Sequence, residues 1–181
     1  MLNSTFSSFP ILATERLTLR QPVINDEREI FNLRSDIEIN KYLDRQLSNT
    51  IDDARNFINK VNENFNKDGL LYWAITLTDR NILVGTICLF NFSNENVKCE
   101  IGYELLTNFQ GQGIMREAAE KVIDYAFNIL QVKTIEAFPH RDNQSSIRLL
   151  EKFSFNNTNK PDETSPELIC YYLTNTSDAL N

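Results

Sequence analysis

The segment Gln110-Gly111-Gln112-Gly113-Ile114-Met115-Arg116-Glu117-Ala118 is the most informative part of this 181-residue chain. It lies between an alternating strand pattern and an amphipathic helix pattern. Glycine permits a positive φ and lets a ligand approach the backbone without a Cβ in the way. The N–H groups of a first helical turn lack intrahelical acceptors and, with the helix dipole, favour an anion. We therefore expect this loop to bind a phosphate or a diphosphate.

Two common phosphate-binding motifs do not fit this loop. A P-loop requires G-x-x-x-x-G-K-[ST], and the sequence contains no such run. The dinucleotide fingerprint G-x-G-x-x-G requires glycine where Arg116 stands, and the chain lacks the repeated βαβ units of that fold. The remaining alternative is that Gly111 and Gly113 only shape a turn before the helix.

The apolar pattern on both sides of the loop predicts a mixed α/β fold in a single domain over residues 1–181, with residues 1–10 as a frayed lead-in. The predicted strands are 16–20, 71–77, 82–92, 97–105, 132–138 and 168–173. Helical patterns follow Asn25, Thr50, Gln112 and Asn143, and the first of them runs through Ile37. A polar turn is predicted from Asn156 to Pro166.

Composition excludes several classes of protein. With 18 Lys+Arg against 25 Asp+Glu, the net charge is −7, which argues against non-specific nucleic-acid binding. Cys88, Cys99 and Cys170 are three in number with no CxxC spacing, and His140 is the only histidine, so we expect neither a disulfide framework nor a metal site. No apolar run approaches a membrane span and the N-terminus is not a signal peptide, which predicts a cytoplasmic protein. No feature of the sequence specifies an oligomeric state.

Several segments resemble one family in the order that the family has them. Gln110 to Met115 resembles the Q/R-x-x-G-x-G/A motif of the GNAT superfamily of N-acetyltransferases. Further segments resemble the branch that acetylates ribosomal-protein N-termini: Thr14 to Arg20, Leu83 to Ile87, Glu100 to Tyr103, Glu117-Ala118, and Asn143 to Phe155. The likeness spans about residues 12–175. Met115 and Ser154 depart from the family pattern, because each stands where a small residue or a glycine is usual.

The resemblance implies a GNAT fold. In that fold a mixed, mostly antiparallel sheet is flanked by about four helices, and the fourth and fifth strands splay apart to form a V-shaped gap for acetyl-CoA. The resemblance further implies that Tyr103 and Leu105 pair with the pantetheine arm and that one N–H near Leu105 holds the thioester oxygen. It assigns Asn143 to the cofactor and Arg148 or Lys152 to its 3′-phosphate. The residues implied for the pyrophosphate are Gln110, Gly111, Gln112, Gly113, Ile114, Met115 and Arg116.

The reaction that the resemblance implies is direct attack of a neutral amine on the thioester, without a metal. An α-amino group, with a pKa of about 7.7–8.0, is roughly one-tenth neutral at pH 7, so it needs only modest help from a base. Glu100 is the first candidate for that base, acting through water, and Glu104 is the second. Ser146 is the candidate that protonates the leaving thiolate.

The acceptor is expected to be a primary amine, with a protein N-terminus as one candidate and a small-molecule amine as another. Two other functions stay open from the sequence. One is a module of the same fold that binds coenzyme A without turnover, and the other is a small nucleotide-binding oxidoreductase.

Overall fold

The computed structural model describes residues 8–68, 70–95, 97–161 and 165–175. Its strands are β1 (Leu12–Ala13), β2 (Leu17–Arg20), β3 (Leu71–Leu77), β4 (Ile82–Ser93), β5 (Lys98–Leu105), β6 (Thr134–Ala137), β7 (Asn156–Pro161) and β8 (Ile169–Thr174). Its helices are α1 (Glu27–Ser35), α2 (Ile37–Asn40), α3 (Ile51–Asp68), α4 (Ile114–Asn128) and α5 (Gln144–Lys152).

The strands form one sheet in the order β1-β2-β3-β4-β5-β6-β8-β7. Every neighbouring pair is antiparallel except β5 and β6, which are parallel. The prediction of a mixed, mostly antiparallel sheet is therefore confirmed. Two strands are missing from the prediction. β1 has only two residues, and β7 begins in the predicted polar turn, where Asn156 and Asn157 pair with β8 through the backbone. Residues 162–164 of that turn lie outside the described residues.

The first predicted helix is divided in two. Asp36 has an extended backbone (φ −70°, ψ 122°), which ends α1. Its Oδ1 then accepts hydrogen bonds from the N–H groups of Glu38 and Ile39, at 2.8 and 3.0 Å, and so caps α2. The prediction of one helix through Ile37 is wrong because the apolar spacing continues across the break, whereas the capping carboxylate turns the chain.

Each face of the sheet buries a separate apolar cluster. One face of β5 packs against α4, which contributes Ala118 and Val122. The opposite face, around Ala74 and Leu83, packs against α1 and α3. The two helical layers place α4 and α5 on one side of β5, and α1 and α3 on the other.

The β5 and β6 strands pair over three residues only. Lys98 to Glu100 lies beside Thr134 to Glu136, and among the described residues no strand pairs with residues 102–105 on that edge of β5. The Leu106 N–H donates to the Val84 carbonyl of β4 at 2.9 Å. Because backbone groups alternate in direction along a strand, the N–H groups of Tyr103 and Leu105 face the gap, whereas that of Ile101 is directed at β6 where the strands still pair. The predicted splay of these two strands is confirmed.

The end of the predicted lead-in is packed rather than frayed. The Trp73 indole N–H donates to the Pro10 carbonyl at 2.8 Å. The Phe9 ring meets Phe65 and Trp73 edge-on, with centroids 5.1 and 5.8 Å apart. Residues 1–7 lie outside the part of the chain that the structure describes.

A stabilising substitution is expected at Ser154, which follows α5 with a φ of 61°. A residue with a Cβ pays about 1–2 kcal/mol to adopt the left-handed region, and glycine does not. Glycine loses more backbone entropy on folding, which offsets part of that gain. We expect Ser154→Gly to raise the free energy of unfolding by about 0.5–1 kcal/mol, measured by urea denaturation. Ser145→Gly, inside α5, should lower it by about 0.5 kcal/mol. A loss with Ser154→Gly would contradict the strain assigned here.

Candidate functional site

The predicted anion loop has the backbone that its glycines imply. Gly111 and Gly113 have φ values of 74° and 77°. The first hydrogen bond of α4 runs from the Glu117 N–H to the Gly113 carbonyl at 3.0 Å, so the N–H groups of residues 114–116 lack an intrahelical acceptor. The side chain of Ile114 is buried and that of Met115 packs against the core, so neither occupies the loop. The departure at Met115 is thereby accommodated.

Hydrogen bonds from Thr14 and Arg16 fix this loop, and the sequence pattern did not predict them. Arg16 donates from Nη1 to the Gln112 carbonyl at 3.2 Å and from Nε to Glu117 Oε2 at 2.7 Å. The Thr14 hydroxyl donates to Glu117 Oε1 at 2.5 Å. Burial raises the pKa of the Glu117 carboxyl, but the hydrogen bonds from Thr14 and Arg16 outweigh it, and the net pKa is lowered. These residues lie in three of the segments that carry the family resemblance, but Arg16 and Glu117 are 101 positions apart in the sequence.

Gln110 joins the loop to the end of β5. Its Nε2 donates to the Leu105 carbonyl at 3.1 Å, and its contact with the pyrophosphate stays a prediction. The N–H groups of Leu105 and Tyr103 stay directed into the gap. Gln112, Gly113 and Arg116 are exposed, as a ligand loop requires.

Tyr103 and Ser146 meet on the α5 side of the gap. The Tyr103 hydroxyl and Ser146 Oγ form a 2.8 Å hydrogen bond that joins β5 to α5. Asn143 Oδ1 accepts the Ser146 N–H at 3.1 Å and caps α5, which leaves the Asn143 amide Nδ2 as the group that can contact a ligand. Burial raises the pKa of Tyr103 to about 12, so its phenol stays protonated at neutral pH.

Glu104 lies on the opposite face of β5, toward α1 and α3, and is held by three side chains. Arg45 Nη2 donates to Oε2 at 2.5 Å, and the Thr86 hydroxyl donates to Oε1 at 3.2 Å. The Tyr72 hydroxyl lies 3.3 Å from Oε1 and donates to Thr86 Oγ1 at 2.9 Å. Burial raises the pKa of Tyr72 well above its usual value, and the Glu104 charge raises it further. The Glu104 carboxylate is therefore already fully engaged.

Glu100 shares that face but lies where β5 and β6 begin to diverge. Its Oε1 accepts one hydrogen bond, from the Asn91 amide at 3.0 Å, and the side chain is partly exposed. Glu136 lies beside it in the parallel pair, with its charge compensated by Lys98 at 2.7 Å. Of the two carboxylates considered as a base, Glu100 therefore has fewer side-chain partners than Glu104.

Other candidate residues lie apart from this arrangement. Arg148 and Lys152 are exposed on α5. Burial raises the pKa of the Cys88 and Cys99 thiols to about 12, which leaves both as neutral interior groups. Over residues 8–68, 70–95, 97–161 and 165–175, no three His, Cys, Asp or Glu side chains are grouped as metal ligands. In the same residues no helix is long and apolar enough to cross a bilayer.

Gly85 keeps β4 close to the end of β5. A Cβ at this position would lie 2.5 Å from the Glu104 carbonyl oxygen and 2.7 Å from Leu105 Cδ1. We expect Gly85→Ala to lower the free energy of unfolding by about 3 kcal/mol, because the obstacle is backbone and must shift. The control is Gly102→Ala, whose Cβ would lie 3.3 Å from Cys88 Sγ and should cost about 1 kcal/mol or less. Equal losses in thermal or urea unfolding would contradict this account of the strand contact.

Comparison with known proteins gives a consistent result. A family model described as an acetyltransferase (GNAT) domain matches residues 16–156. The N-acetyltransferase p20 of Bacillus licheniformis is 36% identical over 145 residues, which cover 80% of this chain and 81% of that protein. The structure of a proposed ribosomal-protein-serine acetyltransferase from Vibrio cholerae matches with a TM-score of 0.81 and 21% identity, covering 92% of this chain and 98% of that chain. The microcin C7 self-immunity acetyltransferase MccE, in complex with acetyl-CoA and AMP, matches with a TM-score of 0.74 and 22% identity over 90% and 94% of the two chains. At these identities the two structures show a shared fold.

Proposed function

This chain belongs to the GNAT family of N-acetyltransferases, and from that premise we propose that it transfers the acetyl group of acetyl-CoA to a primary amine by direct attack within a ternary complex. The GNAT fold and the enzyme class expected from the sequence are confirmed, and the oxidoreductase alternative is wrong. The proposal rests on two neighbouring features: the start of α4 at residues 111–116, whose backbone N–H groups lack acceptors, and the edge of β5 beside it, which no strand covers among the described residues.

Both features fit the chemistry of coenzyme A. The diphosphate is an anion, and the backbone N–H groups of Ile114, Met115 and Arg116 need acceptors. The pantetheine arm contains two amides, and the N–H groups of Tyr103 and Leu105 face the gap where that arm would lie. A ligand strand of this kind completes the sheet edge that β6 leaves open. Acetyl-CoA supplies the thioester whose carbon–sulfur bond breaks as the carbon–nitrogen bond forms.

We assign the proton transfers to the two faces of β5. The amine loses a proton toward Glu100, through water, since that carboxylate is partly exposed and has one side-chain donor at 3.0 Å. The thiolate gains a proton from the Ser146 hydroxyl, whose oxygen regains one from solvent through the Tyr103 hydroxyl at 2.8 Å. An N–H on the open edge, that of Leu105 in our assignment, stabilises the oxyanion. The acceptor therefore approaches from the side of α1 and α3.

The proposal is tested by measuring thiol release from acetyl-CoA with a panel of peptides and small primary amines. We expect acetyl transfer to at least one free amine and none to the same compound with its amine blocked. Mass spectrometry should locate the acetyl group on nitrogen. Tight binding of coenzyme A with no transfer to any amine in the panel would instead favour a non-catalytic binding module.

A further inference from the structure

We propose that the acceptor carries an anionic oxygen group, a carboxylate or a phosphate, and that Arg34 of α1 binds it. The inference rests on the proposed function, since it concerns the substrate of the same site. It follows from an excess of positive charge around Glu104 on the acceptor side of β5.

Arg34 is a partly buried cation whose Nε has no oxygen partner in the described residues. Its Nε is sealed from solvent and has no hydrogen-bond acceptor there. The guanidinium stacks 3.8 Å from the centroid of the Phe57 ring, which orients it but accepts none of its in-plane N–H groups. A buried N–H without an acceptor costs about 1–3 kcal/mol, so an added acceptor would stabilise this arrangement.

The nearby carboxylate is already taken. Glu104 accepts from Arg45 at 2.5 Å, and Arg45 also donates from Nε to Asn40 Oδ1 at 2.6 Å. Arg34, Arg45 and Glu104 together carry a net charge of +1. Burial lowers the pKa of Arg34, and the neighbouring charge of Arg45 lowers it further, whereas Glu104 acts in the opposite direction. An incoming anion would balance this charge.

The position of the cluster connects it to the reacting groups. Glu104 lies on the strand whose free edge receives the thioester arm. The segment that carries Arg45 also places the Tyr42 ring 5.1 Å from the His140 ring, in the loop that follows β6. This segment therefore reaches across the open end of the gap on the acceptor face. The anionic group bound by Arg34 and the reacting amine would therefore belong to the same acceptor molecule.

Guanidinium chemistry fits either of two oxyanions. A planar guanidinium presents paired donors that match carboxylate or phosphate oxygens. The experiment therefore uses two matched pairs of small amines: β-alanine against β-alaninamide, and O-phosphoethanolamine against ethanolamine. We expect kcat/KM to favour the anionic member of at least one pair by about 10- to 100-fold, the range of one charge-assisted hydrogen bond. Which pair responds identifies the oxyanion.

Substitutions tie that preference to the guanidinium. Arg34→Met should reduce the preference to about 1, and Arg34→Lys, which keeps the charge, should retain part of it. The control is Arg55→Met, since Arg55 pairs with Glu27 and Asp52 at the surface and should leave the preference unchanged. Equal kcat/KM within both pairs for the wild-type enzyme would overturn the proposal.

A binding measurement separates this inference from the proposed function. β-Alanine and inorganic phosphate are titrated into the coenzyme A complex while the Arg34 Nε–H signal is followed by NMR. A saturable shift with either probe, even without acetyl transfer, supports the anion site and leaves the transfer reaction as the failed part. No shift with either probe, in a protein that acetylates neutral amines, overturns the anion site alone.

Discussion

Replacing Ser146 with alanine is expected to lower kcat by about 10²-fold without changing the affinity for coenzyme A. The hydroxyl is placed by the Asn143 cap of α5 and by the 2.8 Å hydrogen bond to Tyr103. A positioned general acid contributes roughly 10²–10⁴-fold, and a thiolate is a good leaving group, so the loss should fall at the lower end. Steady-state kinetics and calorimetric titration with coenzyme A measure the two quantities.

Tyr103→Phe is the matched variant for this prediction. It leaves the Ser146 hydroxyl in place but removes its partner, so kcat should fall less than in Ser146→Ala. The Tyr103 phenol, with a pKa raised to about 12 by burial, is protonated at neutral pH and can pass a hydrogen bond to Ser146. Undiminished turnover in Ser146→Ala would remove the serine from the mechanism.

Glu100→Gln is the second large effect, and pH should control its size. We expect kcat/KM to fall by about 10²-fold at pH 7, because the amine must then lose its proton to water alone. The deficit should shrink as the pH rises past about 8, where an α-amino group becomes neutral without a base. The affinity for coenzyme A should not change, since Glu100 lies on the face of β5 away from α4 and α5. The measurement is a pH–rate profile of both proteins.

Glu104→Gln distinguishes the two candidate bases. Glu104 is held by Arg45, Tyr72 and Thr86, so its loss should disturb packing and acceptor affinity rather than the ionisation that limits the rate. We expect a changed KM for the amine and a pH–rate profile with the wild-type shape. A profile that is unchanged in Glu100→Gln and altered in Glu104→Gln would exchange the two roles.

Local patterns predicted the centre of the fold well. The alternation over 97–105, the two loop glycines and the amphipathic helix after them placed β5 next to an anion loop, because each is a short-range property of the chain. The same local reasoning missed β7 at the sheet edge. Asn156 and Asn157 belong to this strand because their backbones pair with β8, and they show no apolar alternation. It also passed over the break at Asp36, which depends on a capping carboxylate.

The long-range contacts of the site were not predictable from spacing. Arg16 reaches Gln112 and Glu117, about a hundred positions away in sequence. Arg45 reaches Glu104 from the segment after α2. Because that carboxylate is paired with Arg45, Arg34 is left as a candidate to bind an added anion. Such contacts depend on how the helices pack on the two faces of the sheet. A single sequence shows that both residues are present but not that they lie close together in the fold.

Binding of coenzyme A to the anion loop and the open edge of β5 is tested by titrating coenzyme A into ¹⁵N-labelled protein and following the backbone amide signals. We expect the largest saturable shifts at residues 111–116, together with shifts at Tyr103 and Leu105 along the open edge of β5. Saturable shifts confined to another surface, or none at millimolar coenzyme A, would contradict it.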